Sequence, residues 1–284
     1  MLTRAATGPD AVLRYADHAD GLADVWLPPI VGSDVRRAPA PLLYAVHGGY
    51  WQQAYDRRQL APLAAAVRDL GWAVVVPEYA RVGGRHRGLG LRAPWRLMVD
   101  DLRTVRRRVP ELLAEVAPGR VAVESPVVLG HSAGGQLALW WGLDSALDSG
   151  PGSGAGPPVR RVLALAPVAD LGRAAADNLD DGAAHSLLDA DPRLLDGHAD
   201  GADVAARLRA GEAVAGCEIV VLHGDQDAQV PVAHSVDLAA EVPAVRLTVL
   251  PGVEHFGLID PLSDAWSAVV AALPEVHNGI RLRK

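Results

Sequence analysis

Cysteine is nearly absent from this sequence. Cys217 is the only one, so no disulfide can form within the chain. The sequence also lacks an N-terminal apolar segment of signal-peptide length, and no apolar run approaches the roughly 18 residues of a membrane span. Cys217 stands beside Glu218 and just before an apolar run, a setting typical of a partly buried cysteine with no chemical role. We therefore expect a soluble protein of the reducing cytoplasm.

An excess of basic residues is also lacking. The 27 Lys and Arg residues are outnumbered by 34 Asp and Glu residues, which gives a net charge of -7. Proteins that bind nucleic acid need basic patches to neutralise phosphates, and the run Arg106, Arg107, Arg108 is more typical of a solvated helix face. We expect a small-molecule partner, no nucleic acid and no membrane. The sequence does not indicate an oligomeric state.

Metal-binding patterns are missing despite the ten histidines. No HExxH pair occurs, and no cluster of Cys and His has the spacing of a zinc site. We predict neither a metal nor a cofactor. Any chemistry must then come from the side chains and from main-chain N–H groups.

Short apolar runs separated by helix-length segments recur from residue 42 onward. This rhythm predicts a mostly parallel sheet covered by helices on both faces. The strand-like runs are Leu42 to Val46, Ala73 to Pro77, Pro126 to Leu129, Val162 to Leu165, Ile219 to Leu222 and Val245 to Leu250. Before them, two strand-like pieces flank Asp20-Gly21, a turn dipeptide that predicts an antiparallel hairpin. The sequence therefore predicts one α/β domain over residues 1–284, with about eight strands.

Helical periodicity fills most segments between these runs. The predicted helices are Arg57 to Leu70, Pro94 to Val109, Ser132 to Leu147, Val232 to Glu241 and Pro261 to Leu273, with Pro94 and Pro261 in first turns. Two segments interrupt the alternation. Ser149 to Pro158 is rich in Gly and Pro and predicts a flexible surface loop. Leu171 to Glu212, after the sixth strand, is long enough for small helices and would form either a modest lid over the carboxyl ends of the strands or a solvent-facing excursion.

The segment GHSAG at residues 130–134 carries the strongest chemical signal. This G-x-S-x-G pattern lies between an apolar strand and a helix, the context in which a serine sits on a sharp turn as a nucleophile. We predict Ser132 as that nucleophile. The N–H of Ala133, at the start of the helix, is then expected to stabilise an oxyanion. We also assign the adjacent His131 to the substrate pocket.

The segment HGGYW at residues 47–51 follows the first long apolar strand. A second oxyanion donor must arise there if Ser132 is the nucleophile, and the candidates are the N–H groups of Gly48, Gly49 and Tyr50. Trp51 is either a wall of the substrate pocket or packs beneath the loop. The His at position 47 is expected to brace this loop rather than act as a base.

The acid and the base are expected in the loops after the last two strands. HGDQD at residues 223–227 holds two carboxylates. We choose Asp227, because Asp225 is placed to hydrogen-bond its own loop, and Asp170 is the rival after an earlier strand. In GVEHF at residues 252–256, His255 completes the order Ser, Asp, His. His255 would act as general base while Asp227 orients it.

Four segments together resemble the motifs of the α/β-hydrolase superfamily, over about residues 40 to 265. They are HGGYW, GHSAGG, HGDQDAQVP and GVEHFGLIDP. The resemblance is to kynurenine formamidase-like and carboxylesterase-like serine hydrolases. It implies a catalytic triad and an oxyanion hole at the positions already named, which are Ser132, Asp227 and His255, and Gly48, Gly49 and Ala133.

The resemblance also favours one reaction, formamide hydrolysis, over ester hydrolysis. HGGYW is closer to the formamidase pattern HGGxW than to the HGGG of lipase-like esterases, whose DYRLAPE is replaced here by PEYARVGG at residues 77–84. We therefore predict an arylformamidase acting on an N-formylkynurenine-type substrate, with a broad carboxylesterase as the alternative. Peptidase or lactonase activity would use the same mechanism. A non-catalytic binding module is disfavoured because all three triad residues are present.

Overall fold

The structure is a computed structural model that describes residues 4–30, 38–84, 94–147, 156–188, 201–212 and 216–276. Its centre is one eight-stranded sheet with the order β1-β2-β4-β3-β5-β6-β7-β8. The strands are β1 (Ala11–Arg14), β2 (Leu22–Trp26), β3 (Ala40–Val46), β4 (Ala73–Pro77), β5 (Val121–His131), β6 (Arg161–Leu165), β7 (Glu218–Gly224) and β8 (Val245–Leu250). The predicted mostly parallel α/β-hydrolase sheet of eight strands is confirmed.

The pairing of the strands places the functional loops on one edge of the sheet. β1 and β2 form the predicted antiparallel hairpin, and β2 is also antiparallel to β4. All other pairs, from β4 through β3 to β8, are parallel. The loops that follow β3, β5, β7 and β8 therefore leave the sheet at its carboxyl edge, where α/β proteins bind their ligands.

Helices cover both faces of the sheet. They are α1 (Ala61–Asp69), α2 (Pro94–Val116), α3 (Ala133–Leu147), α4 (Leu171–Ala176), α5 (Ala183–Leu188), α6 (Val204–Arg209), α7 (Val232–Glu241) and α8 (Trp266–Ala272). Alternate residues of β3 point into different layers: Tyr44 packs with α2 and α3, whereas Leu43 packs with α1 and α8. Both faces of the central strands are thus buried, which explains their nearly continuous apolar sequence.

Three helix boundaries differ from the predicted ones by more than one residue. The helix predicted from Arg57 begins as a 3-10 turn, Arg57–Leu60, and α1 starts at Ala61. α2 continues through Pro110 to Val116, although a proline removes one helical hydrogen bond. The backbone of Gly156 packs against this part of α2, so closely that a Cβ on Gly156 would lie 2.4 Å from the carbonyl oxygen of Arg106. The predicted helix start at Pro261 is wrong, because Asp260 accepts the N–H of Leu262 and holds a turn. α8 begins only at Trp266.

The insertion after β6 contains α4, α5 and α6, in its described parts 171–188 and 201–212. It packs on α3, where the amide of Gln136 donates to the carbonyl of Ala202 at 2.7 Å. It also reaches the loop after β3, where Gln52 donates to Asp180 at 3.2 Å. Residues 149–155 of the predicted surface loop lie outside the described residues. Within the described ranges, no helix is long and apolar enough to cross a bilayer.

Candidate active site

Ser132 lies on a sharp turn between β5 and α3. Its φ is +58°, in the left-handed region that a side chain rarely adopts, and its N–H donates to the carbonyl of Leu165 at 2.8 Å. The flanking positions must be glycine because the neighbouring backbone leaves no room for a side chain. A Cβ on Gly130 would lie 2.0 Å from the carbonyl oxygen of Gly134, and a Cβ on Gly134 would lie 2.1 Å from the carbonyl oxygen of Val46. Such strain is typical of a functional turn that packing holds in place.

The loop after β3 runs against this turn. A Cβ on Gly48 would lie 3.0 Å from the Cβ of Ser132, so the two backbones approach closely. Gly49, Tyr50 and Trp51 then follow one another with positive φ values of 104°, 47° and 60°. This conformation turns the loop sharply around the serine.

Two of the predicted oxyanion donors adjoin Ser132: Gly48 packs against it, and Ala133 follows it in the chain. Within the described part of the chain, the N–H groups of Gly48, Gly49, Tyr50 and Ala133 donate no hydrogen bond. Free main-chain donors beside a serine at a helix start can bind a negatively charged oxygen. This arrangement fits an oxyanion hole.

A buried ion-pair network holds the base of the loop. His47 Nε2 lies 2.7 Å from Glu78 Oε1, and the ring of His47 stacks on that of Tyr79 at 4.4 Å. The Tyr79 hydroxyl donates to the carbonyl of His47 at 2.8 Å. The guanidinium of Arg81 forms an ion pair with Glu78 at 3.1 Å. His47 therefore braces the loop, as its sequence position suggested.

Asp227 and His255 lie in direct contact. Asp227 Oδ2 accepts a hydrogen bond from His255 Nδ1 at 2.6 Å, while Oδ1 accepts the N–H groups of Gln229 and Val230, each at 2.8 Å. Burial raises the pKa of Asp227, but the hydrogen bonds from His223 and His255 outweigh it and hold the pKa well below its usual range. The carboxylate is thus ionised and oriented toward His255.

The two rival carboxylates have other contacts. Asp225 accepts the N–H of Gly252 at 2.8 Å, in the next loop, and also contacts its neighbour Gln226. Asp170 caps α4 through the N–H of Arg173 and pairs with Arg209 at 2.7 Å. Of the three acids considered, only Asp227 contacts His255.

Ser132 and His255 lie in loops at the same edge of the sheet, after β5 and β8. Among the described contacts, none joins the Ser132 hydroxyl to His255, and both residues are almost completely buried. Catalytic hydrogen bonds are often long in unliganded enzymes and shorten when substrate binds.

The two residues assigned to the substrate pocket, Trp51 and His131, are both buried. Trp51 has no exposed surface and donates from its indole N–H to Gln136 at 3.1 Å, so it packs beneath the loop. His131 is 1% exposed, donates from Nε2 to the carbonyl of His255 at 3.0 Å, and its ring lies 4.5 Å from the ring of His255. Burial holds the pKa of His131 well below its usual value.

Two supporting residues have no role in the sequence analysis. Glu78 braces the oxyanion loop through its contact with His47. In the sequence it is the acidic residue of PEYARVGG. His223 contacts Asp227 from the first position of HGDQDAQVP. No sequence pattern predicts this contact of His223. Within the described residues, no group of three or more His, Cys, Asp or Glu is arranged to hold a metal ion.

Comparisons with known proteins agree with this architecture. A family model described as BD-FAE matches residues 24–242, a segment that includes Ser132 and Asp227 and ends before His255. No curated protein matches the sequence. Among solved structures, esterase B from Lactobacillus rhamnosis HN001 has a TM-score of 0.68 at 18% identity, covering 94% of this chain and 85% of its own.

Two further solved structures show the same fold. A truncated carbohydrate esterase from gut microbiota has a TM-score of 0.67 at 16% identity, with 93% of this chain and all of its own covered. The butyrate-bound esterase Est2 from Thermogutta terrifontis has a TM-score of 0.60 at 20% identity, with coverage of 92% and 89%. At these identities the likeness concerns the fold alone.

Proposed function

The chain belongs to the BD-FAE family, and we propose that it is a carboxylesterase-type serine hydrolase that cleaves small acyl esters through an acyl-enzyme on Ser132. The contact of 2.6 Å between Asp227 and His255 carries this proposal. It lies at the same sheet edge as the strained Ser132 turn, and together they have the chemistry of a catalytic triad.

The reaction would proceed in two halves. His255 Nε2 takes the Ser132 proton while Oγ attacks the acyl carbon, and Asp227 stabilises the imidazolium that forms. The oxyanion is held by Ala133 N–H and by one or more N–H groups of the Gly48 loop. His255 then gives its proton to the departing alcohol. Water attacks the acyl-enzyme with His255 again as base, which releases the acid and frees Ser132.

The ester substrate is favoured over the formamide. The family and the fold of the esterase structures support ester hydrolysis, and the butyrate bound to Est2 suggests a short acyl chain. Arylformamidase activity remains a second candidate on the HGGYW motif. Nothing in the comparisons supports the narrower formamidase specificity.

Steady-state kinetics on paired substrates test the proposal. kcat/KM is measured for p-nitrophenyl butyrate and N-formylkynurenine with the wild type and with Ser132→Ala as the blank. We expect turnover of the butyrate ester that the alanine variant loses by at least about 10⁴-fold, with an unchanged melting temperature. A large preference for the formamide would establish the second candidate. Near-native rates in the alanine variant would overturn the mechanism.

A further inference from the structure

His223 is a second histidine on the carboxylate of Asp227. Its Nε2 lies 3.2 Å from Asp227 Oδ2, the oxygen that also accepts from His255. The same Nε2 is 2.9 Å from the carbonyl oxygen of Val230, and Nδ1 is 2.8 Å from the hydroxyl of Ser235 on α7. The side chain has no exposed surface. Both ring nitrogens are therefore engaged inside the protein.

The contacts define which nitrogen carries the proton. The carbonyl of Val230 can only accept, so Nε2 must donate. The Val230 carbonyl accepts this proton, and the same nitrogen lies 3.2 Å from the carboxylate oxygen. In the neutral ring, Nδ1 accepts the hydroxyl proton of Ser235. The protonated nitrogen of His223 therefore lies beside Oδ2 of Asp227, while the loop N–H groups bond to Oδ1.

We propose that His223 is a positioning residue, which fixes Asp227 in its orientation toward His255 and limits the negative charge that the carboxylate presents to it. This inference rests on the proposed function, in which Asp227 and His255 are members of the triad. His223 does not touch the substrate. It acts through Asp227, whose Oδ2 lies 3.2 Å from His223 Nε2 and 2.6 Å from His255 Nδ1.

Removal of the His223 donor should change the pH dependence of kcat/KM. A donor on the carboxylate spreads its charge, so removal of the donor leaves more negative charge facing His255. The imidazolium becomes easier to form, and the acid limb of the kcat/KM profile moves to higher pH. The other titratable groups near the pair are His131, Tyr50, Asp180 and Glu254, and they are the same in every variant compared.

Replacement of His223 by Gln or by Asn gives a matched pair of variants, because their amide side chains differ in length. His223→Gln can place its amide N–H near the position of Nε2, whereas His223→Asn reaches only the position of Nδ1. We expect the glutamine variant to keep kcat/KM within about threefold of the wild type. The asparagine variant should lose about 10- to 100-fold, the effect of a lost hydrogen bond to a charged group, and its acid limb should move upward by about half a pH unit. His223→Leu, of similar volume, is a second variant without the donor.

An NMR titration separates this inference from the proposed function. Wild type and variants are labelled with ¹⁵N-histidine, the signals of the His255 ring are assigned with His255→Gln, and their pH midpoint is recorded without substrate. An upward shift in the asparagine and leucine variants but not in the glutamine variant supports the inference. Identical midpoints and rates in all forms overturn it, as does an equal loss of rate in all three variants with no shift. Absence of ester turnover in the wild type would instead overturn the proposed function.

Discussion

The hydroxyl of Tyr50 donates to the carbonyl oxygen of Gln229 at 2.7 Å, and so ties the oxyanion loop to the loop that holds Asp227. Gln229 also donates its own N–H to Asp227 Oδ1. A single side chain thus connects the two halves of the candidate site. Burial raises the pKa of Tyr50, and the carboxylates of Asp180 and Asp227 raise it further, so the phenol stays protonated and donates.

Replacement of Tyr50 by Phe should loosen this connection. We expect kcat/KM for the butyrate ester to fall about 10-fold and the free energy of unfolding to fall by about 1 kcal/mol, the contribution of one hydrogen bond. Urea unfolding and steady-state kinetics measure the two effects. Tyr44→Phe is the control, because the buried hydroxyl of Tyr44 has no hydrogen-bond partner among the described residues. Its removal should leave stability and rate unchanged or raise stability slightly. Equal losses in both variants would contradict the role of the Tyr50 hydroxyl.

Gly49 should tolerate no side chain. Its φ is +104°, and a Cβ would lie 2.4 Å from the Cβ of Tyr55, so Gly49→Ala must displace the oxyanion loop. We expect kcat to fall about 10²- to 10³-fold, as when one oxyanion donor is lost. Gly83→Ala is the matched control: φ is +80°, but no atom lies within 4 Å of the added Cβ. It should cost about 1 kcal/mol of stability and leave kcat unchanged. A normal kcat in Gly49→Ala would show that the loop does not hold the oxyanion.

Glu78 should contribute stability that depends on pH. Burial raises its pKa, but the hydrogen bond from His47 and the charges of His47 and Arg81 hold the pKa below the usual value. A carboxyl group with a lowered pKa stabilises the fold above its unfolded pKa, about 4.3, and this contribution is lost as the pH falls through the lower folded pKa.

The substitution Glu78→Gln tests this. We expect it to lower the free energy of unfolding by about 3 kcal/mol at pH 7, since a buried pair is broken, and by progressively less below about pH 4. Chemical unfolding at several pH values measures the difference. Glu124→Gln, at an exposed position of β5, is the control and should change little. A loss that stays constant from pH 7 to pH 3 would contradict the lowered pKa.

The sequence is most informative where the residues of one short segment determine its backbone conformation. GHSAG lies between a strand and a helix, and its glycines lie where backbone contacts exclude side chains, so Ser132 could be predicted from local pattern alone. The choice of Asp227 over Asp225 also followed from position in a loop. The structure gives this choice a physical basis, because Asp225 accepts a hydrogen bond from the N–H of Gly252 whereas Asp227 accepts one from His255.

The sequence is less informative where contacts join distant segments. Trp51 is buried because its indole meets Gln136, 85 positions away, and no local pattern distinguishes this from a pocket wall. His131 is turned inward by the carbonyl of His255, 124 positions away. His223 shows the same limit, because its role depends on a carboxylate whose orientation is set by the next loop.

In the proposed mechanism Ser132 forms the covalent intermediate, with His255 as its base. The most direct measurement is intact-protein and peptide mass spectrometry after exposure to a p-nitrophenyl phosphonate ester, which reacts only with an activated serine. The account predicts one adduct per chain, on the peptide that contains Ser132, with no adduct in Ser132→Ala and labelling slowed at least about 10³-fold in His255→Ala. Labelling at another residue, or undiminished labelling in the His255 variant, would contradict it.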